Sequence, residues 1–131
     1  MVTLATVERV RLEELGGRRL LVTDLSELGP EDASIILRQT HLTLSSLPKE
    51  RTVLSLAIVR GLQMNGAVTE AMKQVWKSNA PWISASAIVG MSSIGRVIGR
   101  GLAMISGRSF NAFGSEEEAR AWLLKSTDQA A

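Results

Sequence analysis

A chain of 131 residues has room for one hydrophobic core, and 45% hydrophobic with 21% charged residues is the balance of a folded domain, which excludes a disordered chain. The formal charge of +2 is spread among alternating signs, as in Glu8-Arg9 and Arg11-Leu12-Glu13, and the only aromatics are Phe110, Phe113 and three Trp; that excludes a basic stacking groove for nucleic acid. Cysteine is absent, which excludes a disulfide framework and thiolate chemistry and fits a reducing, cytoplasmic compartment.

The first nine residues, Met1 to Arg9, have no basic start and meet a charge at Glu8, so they do not read as a signal peptide. No run reaches the roughly 18 apolar residues of a bilayer span. Val2 to Leu12 is rich in β-branched residues and reads as a half-solvated strand. Gly16-Gly17 marks a tight turn into a second strand, Arg18 to Leu25, and the two form a hairpin. Gly29-Pro30 opens a helix over Glu31 to about Ser46. Its core stripe is read as Ile35, Ile36 and Leu42, leaving Leu37 and Leu44 as a second apolar line on the opposite side. His41 then faces solvent.

Thr52 to Val59 is apolar on both alternating faces, as a central parallel strand is. Gly61 and Gly66 bracket a loop before a helix whose apolar face is Val68, Ala71, Met72 and Val75. Asn79-Ala80-Pro81 stops it. Trp76 and Trp82 flank that stop and are read as anchors of the helix-to-strand corner. Ile83 to Val89 is the next strand, small on one face through Ala85 and Ala87. Gly90 turns into a third helix, Met91 to about Ser106, with Met91, Ile94, Ile98, Leu102 and Ile105 inward and Gly107 as its stop. A short strand, Arg108 to Phe113, precedes Ser115-Glu116-Glu117-Glu118, a capping-box pattern. The last helix buries Ala119, Trp122 and Leu123, and Ser126 to Ala131 is expected to fray. The order ββαβαβαβα makes residues 1–131 a single α/β domain with a mixed, mostly parallel sheet.

Chemistry is sparse. His41 is the lone histidine, no nucleophile stands beside it in sequence, and Asp24, Asp32 and Asp128 form no carboxylate pair, so no catalytic residue is assigned and the chain is read as a non-enzyme. One His without Cys offers too few ligands for zinc, and no metal or cofactor is expected. Gly90-Met91-Ser92-Ser93-Ile94-Gly95-Arg96-Val97 has the strand-to-helix setting of a P-loop, but Arg96 and Val97 stand where Lys and a hydroxyl are required. A weaker anion site remains open there, built from Gly90, Ser92, Ser93 and Arg96 at a helix start; the plainer reading is a helix cap. Gly95 and Gly99 give that helix a smooth flank, for packing within the fold or for a subunit contact. Leu37 and Leu44, seven residues apart, form a ridge read either as a homodimer or partner interface or as core covered by Leu47 and the hairpin.

Thr23-Asp24-Leu25-Ser26, Val53-Leu54-Ser55-Leu56, Asn79-Ala80-Pro81-Trp82, Ala85-Ser86-Ala87-Ile88-Val89-Gly90-Met91-Ser92, Ser106-Gly107-Arg108 and Glu117-Glu118-Ala119-Arg120-Ala121-Trp122-Leu123 follow one another over residues 19–124. As an ordered set they resemble the small bacterial STAS-like proteins, relatives of anti-sigma-factor antagonists and more distantly of the CRAL-TRIO lipid-binding fold. The resemblance implies a mixed sheet with helices mainly on one face, and regulatory or scaffolding work through protein–protein contact. It also implies a phosphorylatable Ser at the start of the helix after Thr52–Val59, where this chain has Gly61-Leu62-Gln63-Met64-Asn65-Gly66-Ala67-Val68 and only Thr69 beyond. Ile58 stands where the small STAS-like group has an acidic residue, so the phospho-switch is not expected. The competing reading is a carrier or sensor that holds a small apolar or anionic ligand between helices and sheet.

Overall fold

The computed structural model describes residues 9–63, 65–90 and 109–129. Strands β1 (Val10–Leu15) and β2 (Arg18–Asp24) form the hairpin, followed by helix α1 (Pro30–Ser45), β3 (Val53–Ile58), α2 (Gly66–Asn79), β4 (Ile83–Val89), β5 (Ser109–Phe113) and α3 (Glu116–Gln129). The strands lie in the order β1-β2-β3-β4-β5, with β1 antiparallel to β2 and every other pair parallel. This is a five-stranded, mostly parallel mixed sheet in an α/β domain. The stretch read as a third helix, 91–106, lies outside the described residues.

Local chemistry accounts for the boundaries. Gly16 and Gly17 take φ of 59° and 81°, the left-handed pair that a two-residue hairpin turn demands and that a Cβ would oppose. Pro30 opens α1 with its fixed φ and no N–H to waste. Asn65 caps α2, its Oδ1 accepting from the Val68 N–H at 2.8 Å. Ser115 caps α3, its Oγ accepting from the Glu118 N–H at 3.2 Å. Of the stretch 126–131, the described residues continue α3 to Gln129, and Ser126 Oγ donates to the Leu123 carbonyl at 2.7 Å.

The alternation of each strand divides the core between two faces of the sheet. Leu20 and Val22, Leu54 and Leu56, Ala85 and Ala87 meet Ala119 and Leu123 of α3 on one face. Leu25, Val59 and Ile88 meet Ala33, Ile36 and Leu37 of α1 and the partly buried Met72 and Val75 of α2 on the other. Two of the three described helices therefore share a face.

The orientation of α1 reverses the stripe expected from sequence. Ala33, Ile36, Leu37, Thr40 and Leu44 face the sheet, with Leu37 at 6% and Leu44 at 0% exposure, whereas Ile35 (41%) and Leu42 (52%) point to solvent. Leu37 and Leu44 are core and offer no interface ridge. The sheet-facing stripe is masked in sequence because its middle residue is polar. Thr40 is buried with both hydroxyl roles filled: it donates to the Ile36 carbonyl (3.0 Å) and so accepts from Thr23 Oγ1 (3.1 Å). His41 is only partly exposed: its Nδ1–H donates to Asn79 Oδ1 at 2.8 Å and its ring meets Trp82 edge-on at 5.9 Å. Trp82 anchors the corner as expected, with its indole N–H on the Leu47 carbonyl at 2.8 Å and Lys49 Nζ 5.3 Å from its ring. Trp76 does not share that corner; it packs across the sheet face against Phe110, 5.5 Å between ring centres.

An ion-pair chain ties the hairpin to α3. Glu13 accepts from Arg11 Nε (3.0 Å) and faces Arg120 (3.0 Å), which also meets Glu116 at 3.4 Å. Burial alone would raise the Glu13 carboxyl; hydrogen bonds from Arg11 and Arg120, with their charges, outweigh it and hold the group below its ordinary 4.5. A carboxylate with a lowered folded pKa stabilises the fold above its unfolded value and loses that contribution as pH falls through the folded value. Glu13→Gln is thus expected to cost under about 1 kcal/mol at pH 7, since the pair is partly exposed, and less at pH 3. Urea melts of both proteins at the two pH values check this; an equal difference at both would show that the charge is not involved.

Candidate functional site

In a parallel sheet the loops leaving the carboxyl ends of the strands gather at one edge, and there the backbone is free to present side chains. Here β2, β3, β4 and β5 all end at that edge, and their loops are braced to one another. Leu25 N–H donates to the Ile58 carbonyl (2.7 Å), Glu27 N–H to Arg60 (2.9 Å), Gln63 N–H to Leu28 (3.0 Å), Val59 N–H to Val89 (2.9 Å) and Gly90 N–H to Phe113 (3.1 Å). Asp24 Oδ1 accepts from both the N–H and the hydroxyl of Ser26, and Arg9 Nη1 donates to the Asp24 and Ser26 carbonyls at 3.1 and 3.0 Å. Arg60 reaches across to the Gly114 carbonyl at 2.9 Å.

The tightest part of this edge is Glu27 against Gly61. Glu27 takes a left-handed φ of 62°, which its Cβ opposes by about 1 kcal/mol or more. Its carboxylate lies over Gly61, where any side chain would collide with it, and Gly61 itself has φ 73°. The backbone bonds between these loops hold a surface whose exposed members include Glu27, Arg60, Gln63, Asn65 and Ala67. Sequence reading found Gly61 as a loop marker but not the brace, because carbonyls accepting across two loops leave no periodic signal. The start of α2, where a phospho-acceptor would stand, has Asn65-Gly66-Ala67; Thr69 is already inside the helix and half-buried.

Of the candidate anion site, Gly90 alone is described; Ser92, Ser93 and Arg96 lie outside the described residues, as do Gly95 and Gly99. Gly90 contributes no free donor, since its N–H is committed to Phe113. Its role is steric: at φ 85° it packs directly on the Arg60 backbone.

Between α1, α2 and the sheet lies a cavity of about 70 Å³, lined by Thr23, Thr40, Ser55, Asn79 and Ser86 among apolar walls that include Trp76. It exists because Ser55, Ala57 and Ser86 are small at the centre of that sheet face. At ~30 Å³ per water it has room for about two waters, well short of the ~300 Å³ at which small-molecule sites begin. A larger open groove, about 520 Å³, lies at the hairpin end and is lined by Glu13, Glu14, Arg18 and Arg19, so charges of both signs face it. Among the described residues no group of three or more His, Cys, Asp or Glu could hold a metal ion, and no helix is long and apolar enough to cross a membrane.

No protein-family model and no curated protein matches the chain. Solved structures do. The fold is similar to that of an uncharacterised DUF3478-family protein with a SpoIIAA-like fold from Shewanella loihica PV-4, with a TM-score of 0.64 and 15% identity over 87% of this chain and 91% of that one. It is also similar to an anti-sigma-factor antagonist (STAS) domain protein from Planctomyces limnophilus, with a TM-score of 0.55 and 10% identity over 87% and 97%. The domain therefore has a STAS-like fold, as the ordered sequence pieces implied. Neither neighbour is described as a CRAL-TRIO protein, and the lipid-binding part of the resemblance has no support.

Proposed function

We propose that this STAS-like domain is a cytoplasmic, non-enzymatic regulatory or scaffolding module that binds another protein through the carboxyl edge of its sheet, without a phospho-serine switch. The observation that carries this reading is the braced edge itself. Hydrogen bonds between the loops after β2 and β3 hold Glu27, Arg60 and Gln63 in one fixed array, so little side-chain and loop ordering remains to oppose association. A rigid, charged, open surface suits a protein partner. The alternative, a carrier of a small apolar or anionic ligand, finds among the described residues a cavity of about 70 Å³ between helices and sheet, small for such a ligand.

A photo-cross-linking residue at Ala67 is expected to capture a discrete protein in cells of the source organism. Glu27→Lys is expected to reduce that product at least tenfold while leaving the melting temperature near wild type. The same probe at Leu42, on the outer face of α1, serves as the control. Equal capture from Ala67 and Leu42, or capture indifferent to Glu27→Lys, would remove this edge as the binding surface.

A further inference from the structure

Among the described residues the outer edge of β1 has no strand beside it. Its hydrogen-bonding pattern follows from the hairpin. In a two-residue turn of this type the closing residues, Leu15 and Arg18, exchange both bonds, and bonded pairs then alternate. Arg11, Glu13 and Leu15 therefore direct their N–H and C=O groups to β2, and Val10, Leu12 and Glu14 direct theirs outward. At the other edge of the sheet, the Ala112 N–H of β5 is taken by its own Asn111 side chain at 2.9 Å. An open edge is a template for a further strand.

The side chains select which strand. Leu12 is 43% exposed on the sheet face that carries α1, flanked by Arg11 and Glu13 on the face that carries α3. A second copy of β1 laid antiparallel about a twofold axis through Leu12 sets Leu12 against its own copy, Arg11 against the partner's Glu13, and Val10 against the partner's Glu14. In that register every outward N–H and C=O of β1 faces a complementary group. Moving the axis one residue, to Arg11 or to Glu13, sets like charges directly opposite, which is unfavourable. Moving it by half a residue sets side chains of one sheet face against those of the other, which the pleat forbids. The Arg-Leu-Glu triplet is thus self-complementary in one register only.

We propose that the β1 edge is a homodimer interface in which two five-stranded sheets join through antiparallel pairing of β1 centred on Leu12. The Arg11–Glu13 pair, 3.0 Å apart within the chain, extends to a four-charge cluster across the axis. This surface lies on the first strand of the sheet and is independent of the carboxyl-edge loops proposed to bind a partner protein.

The chain contains no cysteine, so a single introduced thiol reports the geometry. Directly opposed, hydrogen-bonded residues in antiparallel strands have Cα atoms about 5.5 Å apart, which is within the span of a disulfide. Leu12→Cys is expected to oxidise to a covalent dimer under mild oxidant, while Leu42→Cys, more exposed but on the outer face of α1, forms no covalent dimer. In sedimentation at graded concentrations, Arg11→Glu and Leu12→Lys are each expected to weaken self-association at least tenfold, Leu12→Lys with a melting curve like the wild type. Failure of folded Leu12→Cys to cross-link, cross-linking of Leu42→Cys at the same rate, or a wild-type protein that is monomeric at every concentration would overturn the proposal.

Discussion

Leu44→Glu is expected to leave the protein unfolded, and Leu42→Glu, two positions away, to leave stability within about 0.5 kcal/mol of wild type. Leu44 is fully enclosed by Leu21, Val53, Trp82 and Ile83 at the sheet. Truncation to Ala there should cost about 2–5 kcal/mol through lost transfer energy and the cavity left behind. A carboxylate in the same place must be desolvated with no partner, which exceeds what a domain with 5–15 kcal/mol of total stability tolerates. Leu42, half exposed on the outer face of α1, loses almost nothing when it becomes polar. Circular dichroism and thermal melts of Leu44→Ala, Leu44→Glu and Leu42→Glu decide the matter. A folded Leu44→Glu protein would mean that α1 sits on the sheet by its other face.

Gly90→Ala is expected to destabilise the domain by roughly 2–4 kcal/mol, from left-handed backbone strain together with overpacking. The added Cβ would lie 2.8 Å from the Arg60 Cβ and 3.0 Å from its N and Cα, and backbone cannot swing aside as a flexible side chain does. The φ of 85° adds its own cost for any residue with a Cβ. For a domain of this size that corresponds to a fall of about 10 °C in Tm. Gly114→Ala is the matched control at the same edge, because its Cβ would meet nothing within 4 Å. Equal Tm values for the two variants would show that β4 and the Arg60 loop do not approach this closely. The loss is steric and structural, so added phosphate should not rescue it.

Features that depend on neighbours in the chain were legible from residues alone. Gly16-Gly17 specified the hairpin because both residues take positive φ without a Cβ penalty, as a two-residue turn matched to the strand twist favours. Pro30, the Asn79 to Pro81 stop and the Ser115 to Glu118 box set helix ends through φ restriction and capping bonds made within a few residues. The mostly apolar Val53–Ile58 run, broken only by Ser55, marked a central strand, since a strand covered on both faces has almost no polar side to show. The STAS-like fold followed from the order of such pieces.

The orientation of α1 was decided only in three dimensions. Apolar residues occur around the whole helix, and the side that wins is the one whose polar member finds a partner: Thr40 is accepted into the core because Thr23, seventeen residues away, donates to its hydroxyl. His41 with Asn79 and Trp76 with Phe110 are likewise pairs joined across elements. The brace of Glu27 on Gly61, and the packing of Gly90 on Arg60, arise where separate loops converge at the carboxyl edge of the sheet. Local sequence sets torsion angles and periodicity, so it determines which elements form and where they stop. Which face each element buries, and which polar groups are satisfied there, depends on contacts between residues far apart in the chain, and those exist only once the sheet and its helices have come together.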